Sequence, residues 1–199
     1  MSNIRIDALR VHHVGPIDLI VFTDECVGIS GRSGSGKTLF LRAVADMIPH
    51  EGAVFLNGRR DLEMPGSQWR KRVGLLPSES AWWFDTVGPY FTSLEQAALE
   101  SLGFGTDVAD WEISRLSTGE RQRLALLRLL SNHPEVLLLD EPTANLDPQS
   151  SERVEVFIEH FRRHHPCAVI WISHQAAQLT RVAETRYRLE DGRLIRGRR

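Results

Sequence analysis

The run Gly31-Arg32-Ser33-Gly34-Ser35-Gly36-Lys37-Thr38 matches the P-loop pattern at every fixed position. Glycines let the backbone turn tightly, so successive N–H groups point inward at phosphate oxygens. Gly31, Ser33, Gly34, Ser35 and Gly36 would form that cradle, and the helix beginning near Lys37 adds its positive end. Lys37 supplies an ammonium for the β- and γ-phosphates, and the Thr38 hydroxyl is placed to ligate Mg²⁺. A short apolar strand, Val27 to Ser30, precedes the run and a helical pattern follows it, as this chemistry requires.

A second set of candidates stands at the ends of two other apolar runs. Val136 to Leu139 leads into Asp140 and Glu141. Adjacent carboxylates closing a buried strand are costly unless a cation or a reactive water occupies them. Asp140 then belongs to the Mg²⁺ shell, while Glu141 polarises an attacking water as general base. His174 follows the run Ala168 to Ser173. A parallel sheet would bring that strand end beside Asp140 and the glycine-rich loop, at the carboxyl edge where ligands bind. Its imidazole would there contact the γ-phosphate or orient the water.

These residues need a scaffold, and the pattern supplies one. Apolar residues alternate at Ile4, Ile6, Leu19 and Val21, as in half-exposed strands. Further strands are expected over Gly52 to Gly58, Arg72 to Leu76, Glu135 to Asp140 and Ala168 to Ser173. Helices are expected from Thr38 to Pro49, after Ser117, and from about Gln149 to His164. Such alternation argues for a parallel sheet covered by helices. From Ser78 to about Ile113 the character changes to crowded aromatics and one helical stretch, SLEQAALESLG, which reads as a small helical insertion. The 199 residues fit one domain, with 42% hydrophobic and 25% charged content and no repeat or linker. A net charge of -2 gives no reason to expect a nucleic-acid partner. Cys26 and Cys167 have no metal-ligand or CxxC spacing and read as buried thiols of a cytosolic protein. No run approaches the roughly 18 apolar residues that span a bilayer, and the N-terminus lacks an apolar signal core.

Leu116-Ser117-Thr118-Gly119-Glu120-Arg121-Gln122-Arg123 resembles the signature motif of ATP-binding cassette (ABC) proteins, usually LSGGQ. Asn145-Leu146-Asp147 looks like that family's D-loop, and the motifs follow the family's order along nearly the whole chain. The resemblance implies an α/β P-loop NTPase fold. Its parts are a mainly parallel sheet, an N-terminal antiparallel β region and a helical subdomain over roughly 78–116, within one domain spanning 1–199. It implies Mg²⁺-dependent ATP hydrolysis, with each ATP held by the loop of one subunit and by Ser117 and Gly119 of another. The implied partners are a second cassette, most simply a homodimer, and a polytopic membrane permease, placing the chain in the cytoplasm on the inner face of the membrane.

Three departures stand out. Ser78 occupies the position where the family has a glutamine that reaches Mg²⁺; serine is shorter and would need a bridging water, so weaker coupling to a partner is expected. Thr118 replaces the first signature glycine, which restricts the backbone near the phosphate while its hydroxyl adds a potential donor, so the effect can take either sign. The adenine-stacking aromatic has no clear equivalent; Val11, His12 and His13 are nearest, and His12 is the expected weak stacker, with loose base discrimination as the consequence. The rings of Trp82, Trp83, Phe84, Tyr90 and Phe91 fall where transporter cassettes receive their membrane subunit, and Trp and Tyr are typical interface anchors. The alternative is that they fill the small subdomain's own core, though five rings in ten residues are hard to bury in so short a segment. The closing segment resembles small bacterial exporter ATPases, putative metal exporters among them. A soluble cassette of the DNA-repair, translation or metallocluster-assembly kind is the alternative, but the coiled coils, tandem cassettes or basic extensions usual there are missing. Arg196, Arg198 and Arg199 make only a small basic tail.

Overall fold

The computed structural model describes residues 3–197, so Arg198 and Arg199 of the basic tail lie outside the described residues. Two sheets share the interior. Strands β1 (Asn3–Val11), β2 (Val14–Phe22), β4 (Glu51–Leu56) and β5 (Arg59–Arg60) form an antiparallel sheet in the order β2-β1-β4-β5. The second sheet has the order β10-β9-β3-β8-β7-β6, built from β3 (Cys26–Ser30), β6 (Val73–Leu76), β7 (Val136–Asp140), β8 (Ala168–Ile172), β9 (Thr185–Glu190) and β10 (Arg193–Arg196). Within it β9, β3, β8, β7 and β6 run parallel, and only β10 is antiparallel.

Every residue of β7 and β8 is buried. Strands covered on both faces must be apolar throughout, which is why they read as continuous runs rather than alternating ones. Side chains alternate across the sheet, so Val136 and Leu138 join one core and Leu137 and Leu139 the other. The first core lies between this sheet and the antiparallel one, with Phe40 and Leu41 of α1 (Lys37–Val44) and Trp69 of α2 (Gly66–Arg72). The second packs α4 (Thr118–Leu130), α5 (Pro148–His164) and α6 (Ala176–Val182) with the segment after β6. Cys26 and Cys167 are buried and free in that second core, and burial pushes both thiols up, Cys167 to about 12.

Two elements are shorter than the sequence suggests. Helix α1 ends at Val44 rather than running to Pro49, because Asp46 takes a left-handed φ of 53° that closes the helix. The insertion holds one short α-helix, α3 (Gln96–Ser101), among 3₁₀ turns, so it is less helical than expected. Gly88, Pro89, Gly103 and Gly105 interrupt it, and it folds instead around Val87, Leu99, Leu102, Phe104 and Val108. Backbone bonds from Val87 N to Trp111 O (3.1 Å) and Ile113 N to Asp85 O (2.8 Å) pin its ends together.

Two hairpin tips meet beside the glycine-rich loop. The β1–β2 turn contains His12 and His13, and the β9–β10 turn contains Asp191 and Gly192. Gly15 N donates to Gly192 O at 2.7 Å, and a Cβ on Gly192 would stand 2.5 Å from His13 O. Gly192 also has φ 75°, a region side chains rarely adopt. Gly192→Ala is therefore expected to lower stability by about 1–3 kcal/mol, read from denaturant unfolding. Stability equal to that of the parent would show that the tips are not interlocked. Elsewhere His50 Nε2 lies 3.1 Å from Asp61 Oδ2, both side chains almost fully buried. The Asp61 carboxylate beside it holds the His50 imidazolium above its ordinary pKa. Asp61 sits below the usual carboxylate range: burial alone would raise it, and the close His50 ring and the Leu62 amide overcome that. The histidine's contribution is complete below its unfolded value near 6.5 and fades as pH rises through the folded one; the aspartate's is lost only in acid. The melting-temperature loss of His50→Ala should accordingly be larger at pH 6 than at pH 9; equal losses would remove the ion pair from the account.

Candidate functional site

The glycine-rich loop joins β3 to α1, at the carboxyl edge of the parallel strands. Gly36 caps α1 with φ 96°, and a Cβ there would collide with Val14 Cγ2 at 2.1 Å, so only glycine fits between helix and hairpin. Gly31 approaches Leu189 O so closely that its Cβ would lie 2.6 Å away. Lys37 is buried, and its Nζ donates to Gly31 O at 2.9 Å and Arg32 O at 3.0 Å, so the loop winds around the ammonium. Burial lowers its pKa, opposed by the charges of Glu141 and Asp140. The buried Ser35 Oγ has no hydrogen-bond partner within the chain, as a hydroxyl meant for a ligand oxygen would.

Asp140 ends β7, buried to 3% exposure, and its Oδ2 accepts from Thr38 Oγ1 at 2.8 Å. A carboxylate and a hydroxyl side by side are hard oxygen donors suited to Mg²⁺, which takes one or two carboxylates and completes its shell with water and phosphate. Among the described residues no cluster of three or more His, Cys, Asp or Glu could hold a metal.

Glu141 takes a left-handed φ of 52°, and its amide donates to Ile172 O at 3.1 Å across to β8. That turn brings its carboxylate to the loop after β8. There His174 Nε2 lies 3.0 Å from Glu141 Oε1, and the His174 amide donates to Oε2 at 3.3 Å. No aligned donor reaches Oε1, so the ring contact is one of charge rather than a hydrogen bond. Burial raises the Glu141 pKa, with His174, then Lys37, pulling it back down. Lys37, Thr38, Asp140, Glu141 and His174 thus come from three separate strand ends into one site, as their sequence positions require.

Ser117 caps α4. Its Oγ accepts from Glu120 N at 3.2 Å while Glu120 Oε2 accepts from Ser117 N at 2.8 Å, a reciprocal capping box. The Ser117 hydroxyl also donates to that carboxylate, and these bonds lower the Glu120 pKa. Thr118 is the first helical residue, and Gly119 packs on the D-loop, where a Cβ would be 2.9 Å from Leu146 Cδ2. Asp147 caps α5, accepting from Ser150 N at 2.9 Å.

Ser78 is exposed two residues beyond β6, whose Leu76 pairs with Leu139 of β7, so it shares the edge with Asp140. The buried Gln122 of α4 donates from Nε2 to Pro77 O at 3.0 Å, a link the sequence reading missed. A polar residue on the buried stripe of a helix was the available signal. His12 does not join the loop: it is exposed and lines a separate hollow with His50 and Glu51. Its neighbour His13 lines that hollow too, and also a cavity of about 450 Å³ with Ser33, Gly34, Ser35, Arg188 and Glu190. The periodicity could not say which of the two reaches the loop.

The aromatic segment forms a cluster around Arg128 of α4. The guanidinium carbon lies 4.6 Å from the Trp82 ring, 5.2 Å from Trp83 and 5.1 Å from Tyr90, and Nη1 donates to Ala81 O at 3.1 Å. Tyr90 Oη accepts from the amides of Trp83 and Phe84. Trp83 remains 68% and Phe84 46% exposed.

Comparison with known proteins agrees with this geometry. Residues 14–144 match the family model described as ABC transporter. The chain is 36% identical over 183 residues to ABC transporter I family member 17 of Arabidopsis thaliana, covering 85% of this chain and 69% of that protein. It is 33% identical over 199 residues to lipoprotein-releasing system ATP-binding protein LolD 2 of Caulobacter vibrioides, covering 89% and 86%. Its fold is that of the ATP-binding cassette MJ0796 in a dimeric, post-hydrolysis state, with a TM-score of 0.83 at 19% identity over 98% of both chains. No helix of the described residues is long and apolar enough to cross a membrane. The chain belongs to the ABC transporter family, as one of its ATP-hydrolysing ATPase subunits.

Proposed function

We propose that two copies of this chain close around two ATP molecules and that the closure drives a separate polytopic membrane permease from the inner face of the cell membrane. The observation that carries this reading is the pairing of Thr38 with Asp140 (2.8 Å) beside the pairing of Glu141 with His174 (3.0 Å). One pair suits the nucleotide's Mg²⁺, the other the water that attacks the γ-phosphate. Amides of Gly31 to Gly36 and the Lys37 ammonium bind the phosphates, with Thr38 and Asp140 holding Mg²⁺ and Ser78 reaching it through a water. Bound Mg²⁺ neutralises charge on the β- and γ-oxygens. Glu141 takes the proton from the attacking water, and His174 holds Glu141 and the γ-phosphate in register. Ser117 and Gly119, at the free amino end of α4, are the groups the second copy would present to the γ-phosphate. His13, not His12, is the ring placed to meet the nucleoside.

A membrane partner is supported by the relatives, which include an ATP-binding protein of lipoprotein release and others of aliphatic sulfonate import. Their names support transport as a class and select no cargo; the likeness to exporters rests on the stretch Trp83 to Phe91 and, for metal exporters, on the closing segment. It is supported too by Trp83 and Phe84, large rings left in water, Trp83 beside the Arg128 guanidinium.

Glu141→Gln should lower ATP turnover by about 10²-fold or more and trap an ATP-dependent dimer on size exclusion. Turnover at the parent rate would remove Glu141 as the base. Trp83→Ala with Phe84→Ala should abolish co-purification of a polytopic membrane protein from detergent extract while the melting temperature stays within a few degrees. Unchanged recovery would move the docking surface elsewhere, and a parent protein that recovers no membrane partner in any nucleotide state would favour the soluble reading.

A further inference from the structure

Thr143 and Gln178 stand outside every motif of the site. Thr143 lies two residues beyond Glu141, on the turn toward Asn145, and Gln178 lies on α6 one helical turn beyond His174. They are 3% and 1% exposed. Gln178 Nε2 donates to Thr143 Oγ1 at 2.7 Å and to Glu155 Oε1 of α5 at 2.8 Å. Glu155 is clamped in turn by Arg181 of α6, whose Nη2 and Nε donate at 2.8 Å and 3.0 Å. The two N–H groups of one neutral amide are matched to two acceptors on different elements. Packing alone does not account for such an arrangement, since a methionine or leucine would fill the space without burying a polar group.

The strut joins the two loops whose spacing sets the site. Ala144 N donates to Glu141 O at 3.2 Å and Leu146 N to Thr143 O at 3.2 Å, so Thr143 is rigidly tied to the turn that aims Glu141. His174 sits at the entry to α6, and its side chain is 53% exposed, so packing does not fix the ring. Its place relative to Glu141 is set between the end of β8 and the start of α6, with the His174 amide bonded to Glu141 Oε2 at 3.3 Å. We propose that Gln178 is a positioning residue for hydrolysis: by bonding Thr143 and Glu155 it fixes α6, and His174 with it, against Glu141. This inference rests on Glu141 acting as base with His174 as its partner. Gln178 itself touches no substrate.

Gln178→Met keeps volume and removes both N–H groups. It is expected to lower kcat about tenfold with KM for ATP changed less than about twofold, the signature of lost alignment rather than lost binding. Thr143→Val, nearly isosteric, should give the same split. The double variant should be no slower than the slower single, because both changes cut one strut. In a Glu141→Gln background, Gln178→Met should still give the ATP-dependent dimer on size exclusion, separating alignment from closure. An unchanged kcat, a raised KM at constant kcat, or additive losses in the double variant would each overturn the proposal. Should Gln178→Met fail to fold, Thr143→Val decides by the same kcat-against-KM split. Were Glu141→Gln and His174→Ala both to leave turnover intact, the reading of the site itself would fall. If both lower it and Gln178→Met does not, only the positioning role is lost.

Discussion

The site depends on one constraint: β7 and β8 are covered on both faces, so nothing charged can be placed along them short of their carboxyl ends, where Asp140 stands. Polar function is pushed to the strand ends, and in a parallel sheet those ends line up at one edge. The register puts Leu139 beside Trp171 and Asp140 beside Ile172, so Glu141 and His174 leave neighbouring strands at nearly the same level. Strand β3 delivers the glycine-rich loop one strand further on, with Ile29 beside Ile172. Collecting five polar residues in one place is thus a consequence of hydrophobic burial elsewhere. The burial also sets their electrostatics, since Lys37 and Glu141 are each disfavoured as ions and each supported by the other's charge.

The loops that hold these residues are fixed by backbone geometry more than by side-chain packing. Gly36 admits no side chain because Val14 fills that space, and Gly31 lies against the backbone of β9. The antiparallel sheet and the terminal hairpin, which share no motif with the nucleotide chemistry, therefore shape the phosphate loop from outside. Glu141 carries a left-handed backbone that a glutamate rarely adopts, and a bond to β8 on one side and a turn on the other hold it there. Strain of this kind persists only where surrounding structure over-determines it, and it falls on the residue whose aim matters most.

Much of this was legible in the sequence, for physical reasons that also mark where legibility stopped. Fully buried strands announce themselves as apolar runs, and motif residues at strand ends follow from them, so Lys37, Thr38, Asp140, Glu141 and His174 could be assembled before any coordinates. Helix ends were harder. The stop at Asp46 comes from a single backbone angle that an aspartate adopts in context, whereas Pro49 was the visible signal. The insertion looked helical because SLEQAALESLG has helix-forming composition, but its glycines and aromatics favour tertiary packing around Val87 and Phe104 over further helix. His12 against His13 was a matter of which way a turn faces, which periodicity does not encode. The buried glutamines were harder for a different reason: a polar residue on a helix's buried stripe signals burial, but an amide carries no charge and no motif spacing to name its partners, which come from distant segments.

Those glutamines share a physical logic with consequences for Ser78. Gln122 of α4 donates to Pro77 O after β6, and Gln178 of α6 donates to Thr143 after β7. Each holds a loop that leaves the carboxyl edge, and each does so with a neutral donor, avoiding the desolvation cost of a buried ion. Through Gln122 the loop bearing Ser78 is referenced to α4, whose amino end carries Ser117 and whose carboxyl half carries Arg128 within the aromatic cluster. A serine at position 78 shortens the direct reach toward Mg²⁺. The bond that ties this loop to α4 is made by the Pro77 carbonyl, so it does not depend on which side chain stands at position 78.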